Sequence, residues 1–233
     1  MGRQNAHQMI ETVYVALHKA ILDRQLRPGQ KLREQALGEY FGVSRTTIRA
    51  ALQRLASDGL VTTEPNKGAA VALPSVGEVA ELFRVRLIVE TGIAAELCAL
   101  NTPDLIKRLR AHIRSEQQAM DAGDYKTAIG LLGEFHVLLA EAAANRLLTD
   151  FFKGIVSRTS LVVSAFDDTE HAGCRSDEHS ILVDCIEAND VAGAIACVQG
   201  HLRELEAAVT AKAKQAEGGY HPMQHLFGAG AIG

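Results

Sequence analysis

The chain has 233 residues, of which 47% are hydrophobic and 22% are charged, as is usual for a globular protein with an ordinary core. Aromatic residues make up 5% and tryptophan is absent, which argues against an aromatic platform for single-stranded nucleic acid. No apolar run approaches the length that crosses a bilayer. The four cysteines form no Cys-x-x-Cys pair. We therefore expect a cytoplasmic protein with reduced thiols and no membrane partner.

Charge is distributed unevenly along the chain. The formal net charge is −4, but residues 1–74 hold 10 Lys/Arg against 6 Asp/Glu, whereas the remaining 159 residues hold 14 against 22. A basic first segment joined to an acidic remainder is typical of a module that binds a polyanion. The charge pattern alone is weak support, because an excess of four charges is common by chance.

The first 74 residues predict a compact set of helices followed by a hairpin. The predicted helices cover about 10–21, 34–41 and 45–57, and the predicted strands cover 60–64 and 69–73. Gly42 stands where a helix C-cap belongs, and Ser44 stands at the N-cap of the third helix. Three helices and a small β-hairpin, in this order, predict a winged helix-turn-helix.

The third predicted helix has one apolar face and one polar face. The apolar face holds Ile48, Ala51, Leu52 and Leu55, and the polar face holds Arg45, Thr46, Arg49 and Gln53. A recognition helix presents its N-terminal residues to base edges, where Arg can bond a guanine and Thr can contact a thymine methyl group. A solvated face of an ordinary amphipathic helix is the alternative, and the neighbouring helix and hairpin make it the weaker one.

Three stretches of this segment resemble the N-terminal domain of the GntR superfamily of transcriptional regulators. The stretches are Leu26–Glu34, Val43–Leu52 and Asp58–Val61. The resemblance implies that Arg45, Thr46, Thr47 and Arg49 contact operator DNA, with Gln35 nearby and Arg33 on the phosphate backbone. It also implies that the wing at Asn66, Lys67 and Gly68 enters a groove, and we add Ser44 to the candidate DNA contacts.

Residues 75–213 predict an all-helical bundle, and residues 214–233 a glycine-rich flexible tail. The stretch is rich in Ala, Leu and Glu, and residues typical of N-caps divide it into about six helices. These candidate caps are Thr102, Asp124, Ser176 and Asp190.

The helical segment resembles the FadR-like branch of the superfamily, whose effector domain is an all-helical bundle called FCD. The matching residues are Arg86 with Glu90, Ala94-Ala95, Phe135-His136, Asn145, Glu178-His179 and His201-Leu202. In that family, such histidines surround a divalent metal, usually with a carboxylate or amide ligand from the helix of the first histidine. A small carboxylate often binds beside the metal.

The residues themselves give an independent reason for a metal site. His136, His179 and His201 lie on three different predicted helices, and three imidazoles that converge suit Zn or Ni and leave positions open. The carboxylate or amide ligand that the resemblance implies four residues before His136 is replaced here by Leu132, which cannot coordinate a metal. A three-histidine site with extra water, a weaker site and a metal-free pocket therefore stay open. Arg86 is the candidate that binds the carboxylate of an effector.

The sequence thus predicts a mainly α, homodimeric transcriptional regulator, with a repressor as the default. Its partners would be double-stranded operator DNA with an inverted repeat and a small carboxylate metabolite. Two alternatives stay open, namely a metal-dependent helical enzyme with a DNA-binding head and a purely architectural DNA-binding dimer. No catalytic residues are predicted.

Overall fold

The N-terminal head consists of three helices and a small sheet. The computed structural model describes residues 2–23, 25–64, 67–166 and 176–219. The head helices are α1 (Gly2–Leu22), α2 (Glu34–Phe41) and α3 (Arg45–Ser57). Gly42 ends α2 in the left-handed conformation, with φ of 63°, and the Ser44 hydroxyl caps α3 by accepting a bond from the Thr47 amide at 3.2 Å. Both predicted caps are confirmed.

The sheet of the head has three strands, one more than the sequence predicted. The strands are β1 (Lys31–Leu32), β2 (Val61–Glu64) and β3 (Gly68–Val71), in the order β1-β3-β2 with antiparallel pairing. The hairpin is confirmed, with Val61 opposite Val71, while residues 65–66 at its tip lie outside the described part of the chain. Sequence periodicity missed β1 because a two-residue strand is too short to show an alternation.

Six helices follow the head within the described residues, as the sequence predicted. They are α4 (Val76–Ala99), α5 (Pro103–Asp121), α6 (Tyr125–Ala142), α7 (Arg146–Phe166), α8 (Ser176–Glu187) and α9 (Val191–Gly219). The side chains of Thr102 and Asp124 cap α5 and α6 as expected, and Asp190 accepts a bond from the Gly193 amide before α9. Ser176 is the first residue of its helix rather than the residue before it.

The last helix extends further than the sequence predicted. α9 continues to Gly219, so residues 214–219, which we assigned to a flexible tail, are helical. Lys214, Gln215, Ala216 and Glu217 are good helix formers, and the predicted end gave too much weight to the following glycines. The rest of the predicted tail, residues 220–233, lies outside the described residues.

Two hydrophobic cores meet at helix α7. One core fills the head, and the other fills the helical domain. Leu161 of α7 is 1% exposed and packs into the core of the head. Two polar contacts lie beside it: Ser157 Oγ is 3.1 Å from His18 Nε2, and the Arg158 Nε donates to the Asp58 carbonyl at 3.1 Å. The head is therefore held against one side of α7.

Candidate functional site

The polar face of α3 is open to solvent, as the sequence predicted. Ile48, Ala51, Leu52 and Leu55 are buried against the rest of the head. Arg45, Thr46 and Arg49 are exposed on the opposite face, together with Ser44, and Thr47 is half-buried. The N-terminal turn of α3 therefore presents two guanidinium groups and two hydroxyl groups to an incoming partner.

Helix α2 positions both arginines of this face. Arg49 Nε donates to the Glu34 carboxylate at 2.8 and 2.9 Å, and Arg45 Nη2 donates to the Gln35 side-chain oxygen at 3.1 Å. These bonds hold the guanidinium groups in place before any ligand arrives. Sequence reasoning named Gln35 but missed Glu34, although its place at the start of α2 was a usable signal. Arg33, just before Glu34, is exposed.

The wing flanks the same surface. Lys67 and Gly68 are exposed at the start of β3, and the Lys67 ammonium lies 2.6 Å from the Glu64 carboxylate. A cleft bordered by Arg49, Gln53, Thr63 and Gly68 separates α3 from the wing. Asn66 lies outside the described residues.

The three predicted histidines come together in the helical domain. His136 on α6, His179 on α8 and His201 on α9 are all buried, and one nitrogen from each ring lies within 4.8 Å of the others. The ring centroids are 5.2 to 5.7 Å apart. Among the described residues this is the one group of three or more His, Cys, Asp or Glu side chains with metal-ligand spacing.

Each histidine of the cluster has a carboxyl partner on Nδ1. His136 Nδ1 is 2.6 Å from Glu90 Oε2, His179 Nδ1 is 3.0 Å from both Glu116 oxygens, and His201 Nδ1 is 2.6 Å from Glu178 Oε2. A carboxyl group that binds one ring nitrogen orients the ring so that the other nitrogen can bind a metal. The nitrogen that a metal would use is therefore Nε2 in each ring.

Burial and neighbouring charges both shift pKa values in the cluster. Burial lowers the pKa of His136 to about 3, despite the opposing Glu90 carboxylate, and it also lowers the pKa of His179. Burial would raise the pKa of Glu90, but Arg86 and His136 outweigh it and hold that pKa below its usual range. Burial raises the pKa of Glu116 to about 8, against the influence of His112. The imidazoles of His136 and His179 are thus neutral at physiological pH, which is the state that binds metal.

The donor set fits a divalent ion that accepts nitrogen ligands. Three imidazoles with oriented rings suit Zn²⁺ or Ni²⁺, and three protein ligands leave positions for water or a ligand. Leu132 is buried four residues before His136 and offers no donor atom, while Glu134 is exposed to solvent.

A small cavity lies beside His136. Arg86 and Leu132 form part of its wall, and α7 provides another part of the wall. Arg86 is 3% exposed and its Nε donates to Glu90 at 2.6 Å. In the structure Arg86 therefore pairs with the carboxylate of Glu90 on the same helix. From the sequence we expected it to bind the carboxylate of an effector. Arg86 Nη2 is buried without a partner among the described residues, which is unfavourable unless a ligand or water bonds it.

Sequence reasoning named the histidines, Glu90 and Glu178, but it did not assign the two glutamates to the imidazoles. Arg86 and Glu90 are four residues apart and share a helix face, which places both near one site. Glu116 has no such signal, since it lies 63 positions from His179 and meets it only through the fold.

Comparisons with known proteins agree with both halves of the structure. A family model described as bacterial regulatory proteins, gntR family, matches residues 9–71, and one described as FCD domain matches residues 81–204. The HTH-type transcriptional regulator LutR of Bacillus subtilis (strain 168) is 29% identical over 216 residues, with 80% of this chain and 94% of LutR covered. YdhC of the same organism, also an HTH-type transcriptional regulator, is 28% identical over 144 residues, with 61% of this chain and 64% of YdhC covered.

A solved structure shares the fold over nearly the whole chain. A GntR transcriptional regulator from Rhodococcus sp. RHA1 superposes with a TM-score of 0.78 and 24% identity, with 91% of this chain and 99% of that chain covered. Among the described helices, none combines the length and apolarity that a bilayer crossing needs.

Proposed function

Because the chain belongs to the GntR family of bacterial regulatory proteins and carries an FCD domain, we propose that a small carboxylate, bound beside a divalent metal, controls its binding to operator DNA. The chain is a transcriptional regulator, and the alternative of a metal-dependent enzyme does not fit its relatives. The observation that carries the proposal is the buried histidine cluster, with a carboxyl group on every Nδ1. It lies next to a cavity that Arg86 lines, and Arg86 Nη2 is buried without a partner among the described residues.

In this proposal His136, His179 and His201 hold the metal, with Zn²⁺ or Ni²⁺ the expected ions. The bound metal supplies a Lewis-acid site for an oxygen of the carboxylate. Arg86 donates a charge-assisted hydrogen bond from Nη2 to the same carboxylate. The ligand acts as an effector only if it binds differently to the DNA-competent and DNA-incompetent arrangements of the heads.

The head reads DNA through the N-terminus of α3 and through the wing. We assign base contacts to Arg45, Thr46 and Arg49, which α2 holds on the exposed face. Further DNA contacts are assigned to Arg33, Gln35, Ser44, Thr47, Asn66, Lys67 and Gly68. A homodimer in the cytoplasm would place two heads on half-sites of an inverted repeat ~34 Å apart. Repression that the ligand relieves is the proposed direction of control.

The first test is the metal content of the untagged protein, measured by elemental mass spectrometry. We expect about one divalent ion per chain, by the three-ligand geometry, and its loss in His179→Ala. His7→Ala, at an exposed position of α1, is the matched control and should keep the ion. Protein that stays metal-free after incubation with Zn²⁺ and Ni²⁺ would refute the metal part of the proposal.

The second test addresses control of DNA binding. An operator is selected from a random duplex library, and its affinity is measured with and without a panel of small carboxylates. A ligand-dependent change supports the proposed function. No change with any carboxylate, together with weak preference for one sequence, would favour the architectural dimer.

A further inference from the structure

The wall of the cavity beside His136 is mostly apolar. Arg86, His136 and the hydroxyl groups of Thr159 and Ser160 are its polar lining residues. The apolar ones are Ile129, Leu132, Val156, Val163 and Leu205. The Thr159 hydroxyl donates to the Ile155 carbonyl of its own helix, so its proton is already used. Arg86 is thus the one cationic donor that the described residues supply to this wall, and Ser160 adds a neutral hydroxyl group.

This lining distinguishes between classes of carboxylate. A first carboxylate can bond Arg86, whose Nη2 has no partner within the described part of the chain. A second carboxylate in the same cavity would lie against Leu132 and its apolar neighbours, where a buried charge without a partner is strongly unfavourable. Leu132 disfavours a second carboxylate further, because it places a branched apolar side chain in the cavity wall with His136.

We propose that the ligand is a monocarboxylate with an aliphatic or aromatic body, rather than a di- or tricarboxylate. This inference rests on the proposed function, since it names the class of the same effector.

Two glycines of α6 provide a matched pair of variants for this cavity. Gly133 lines the cavity, and a Cβ there would lie 3.1 Å from Ser160 Oγ and 3.9 Å from Val156 Cγ1. A Cβ at Gly130, on the same helix, would meet nothing within 4 Å. Gly133→Ala therefore narrows the cavity, whereas Gly130→Ala makes the same change in open space.

The experiment is calorimetric titration of the full chain, with Ni²⁺ present, using isovalerate, phenylacetate, isovaleramide, succinate and citrate as probes. We expect at least one monocarboxylate to bind about tenfold or more tightly than isovaleramide, succinate and citrate. Gly133→Ala should weaken that binding and Gly130→Ala should not. Tighter binding of succinate or citrate would overturn the inference and leave the proposed function standing. Binding by none of the acids would overturn both.

A second inference concerns helix α7, which has the cavity on one side and the head on the other. Val156, Thr159, Ser160 and Val163 recur at intervals of three and four residues and line the cavity. Ser157, Arg158 and Leu161 lie on a different side and contact the head. A single rigid helix thus touches both the ligand cavity and the DNA-binding domain.

The contacts on the head side lie at the end of the recognition helix. Asp58 is the C-cap residue of α3, and its carbonyl accepts the bond from Arg158. Gly59, with φ of 71°, packs so closely that a Cβ there would clash with the Arg158 guanidinium group. The Asp58 carboxylate also accepts a bond from the Tyr14 hydroxyl of α1 at 2.7 Å.

We infer that α7 transmits a change in the cavity to the C-terminal end of α3. Packed helices move as units. A displacement of the α7 residues that line the cavity therefore shifts Arg158 against Asp58 and Gly59. The regulatory meaning of this connection rests on the proposed function. Its mechanics can be tested without a ligand or an operator.

The test is hydrogen–deuterium exchange of the Gly59 and Leu60 amides, which donate to the Ala56 and Leu55 carbonyls. Gly133→Ala presses on α7 and should accelerate their exchange by about threefold or more, whereas Gly130→Ala should leave it unchanged. Val156→Ala, which shortens another α7 side chain in the cavity wall, is a second probe and should also change the exchange rate of these amides. In Arg158→Ala protein, Gly133→Ala should have no further effect. Unaltered exchange in both cavity variants, or equal acceleration in Gly130→Ala, would overturn the inference.

Discussion

At the scale of single residues, the histidine cluster depends on carboxyl groups that the metal would not touch. Glu90, Glu116 and Glu178 come from three different helices, and each meets one imidazole through Nδ1. An imidazole without such a partner can rotate and change tautomer, which lowers its affinity for metal. The glutamates are therefore positioning residues for the site.

Glu178→Gln tests this role with little risk to folding, because Glu178 is only half-buried. The neutral amide holds His201 less firmly, so we expect the affinity for Zn²⁺ or Ni²⁺ to fall about 10- to 100-fold. The measurement is competition with a chromophoric chelator. Glu134→Gln, at an exposed position two residues before His136, is the control and should keep wild-type affinity. Equal affinities in the two variants would remove Glu178 from the site.

Arg49 is the DNA-reading side chain whose removal should be most informative. Glu34 holds its guanidinium on the exposed face of α3, so Arg49→Ala removes a preorganised donor. We expect about 1–3 kcal/mol weaker binding to the selected operator, with relaxed preference at one base pair. Gel-shift titrations against single-base variants measure both effects. Arg84→Ala, an exposed change on α4, should alter neither, and equal losses on all sequences would reassign Arg49 to a phosphate contact.

At the scale of elements, α7 joins the two domains through apolar burial as well as polar contacts. Leu161 is 1% exposed within the core of the head, although it belongs to the helical domain. Leu161→Ala should lower the free energy of unfolding by about 2–5 kcal/mol, because it removes buried methyl groups and leaves a cavity. Urea unfolding followed by circular dichroism measures the change. Leu147→Ala, on the same helix but 81% exposed, should stay within about 0.5 kcal/mol of wild type.

The contact between α1 and α7 should also respond to pH through His18. Burial lowers the pKa of His18 below its usual 6.5, although Asp58 acts in the opposite direction. The folded protein therefore binds fewer protons at this site than the unfolded chain, and stability from His18 is present above pH 6.5 and lost as the pH falls.

We accordingly expect the urea concentration at the unfolding midpoint to decrease when the pH is lowered from 7.5 to 5.5. The decrease should be smaller in His18→Gln. Glutamine can still reach Ser157 with its amide but cannot be protonated. An identical pH dependence in the two proteins would show that His18 gains its proton without opposing folding.

Elements with strong local signals were predictable from the sequence. Gly42, Ser44, Thr102 and Asp124 carry local capping chemistry, so the ends that they mark could be placed without tertiary information. Strand β1 could not be predicted, because Lys31 and Leu32 become a strand only by pairing with Ala70 and Ala69. The helical stretch beyond residue 213 was missed because the glycines after it suggested an earlier end.

At the scale of the whole molecule, the sequence predicted which histidines meet but not what surrounds them. The resemblance to a known family singled out His136, His179 and His201, and their convergence agrees with it. The pairing of Glu116 with His179 depends on how α5 packs against α8, which no local pattern encodes. The two-sided role of α7 likewise exists only after both domains have folded onto it.

Metal binding should stabilise the molecule as a whole, because the three histidines join α6, α8 and α9. A metal that binds the folded chain but not the unfolded chain adds about 2.7 kcal/mol at a free concentration of 100 times its Kd. We therefore expect chelator-treated protein to unfold at a lower temperature, and Zn²⁺ or Ni²⁺ to raise the midpoint in a concentration-dependent way. Differential scanning calorimetry measures both transitions, with His7→Ala as the variant that should keep the full response. If His136→Ala gained as much stability as wild type, the stabilising metal would bind elsewhere on the chain.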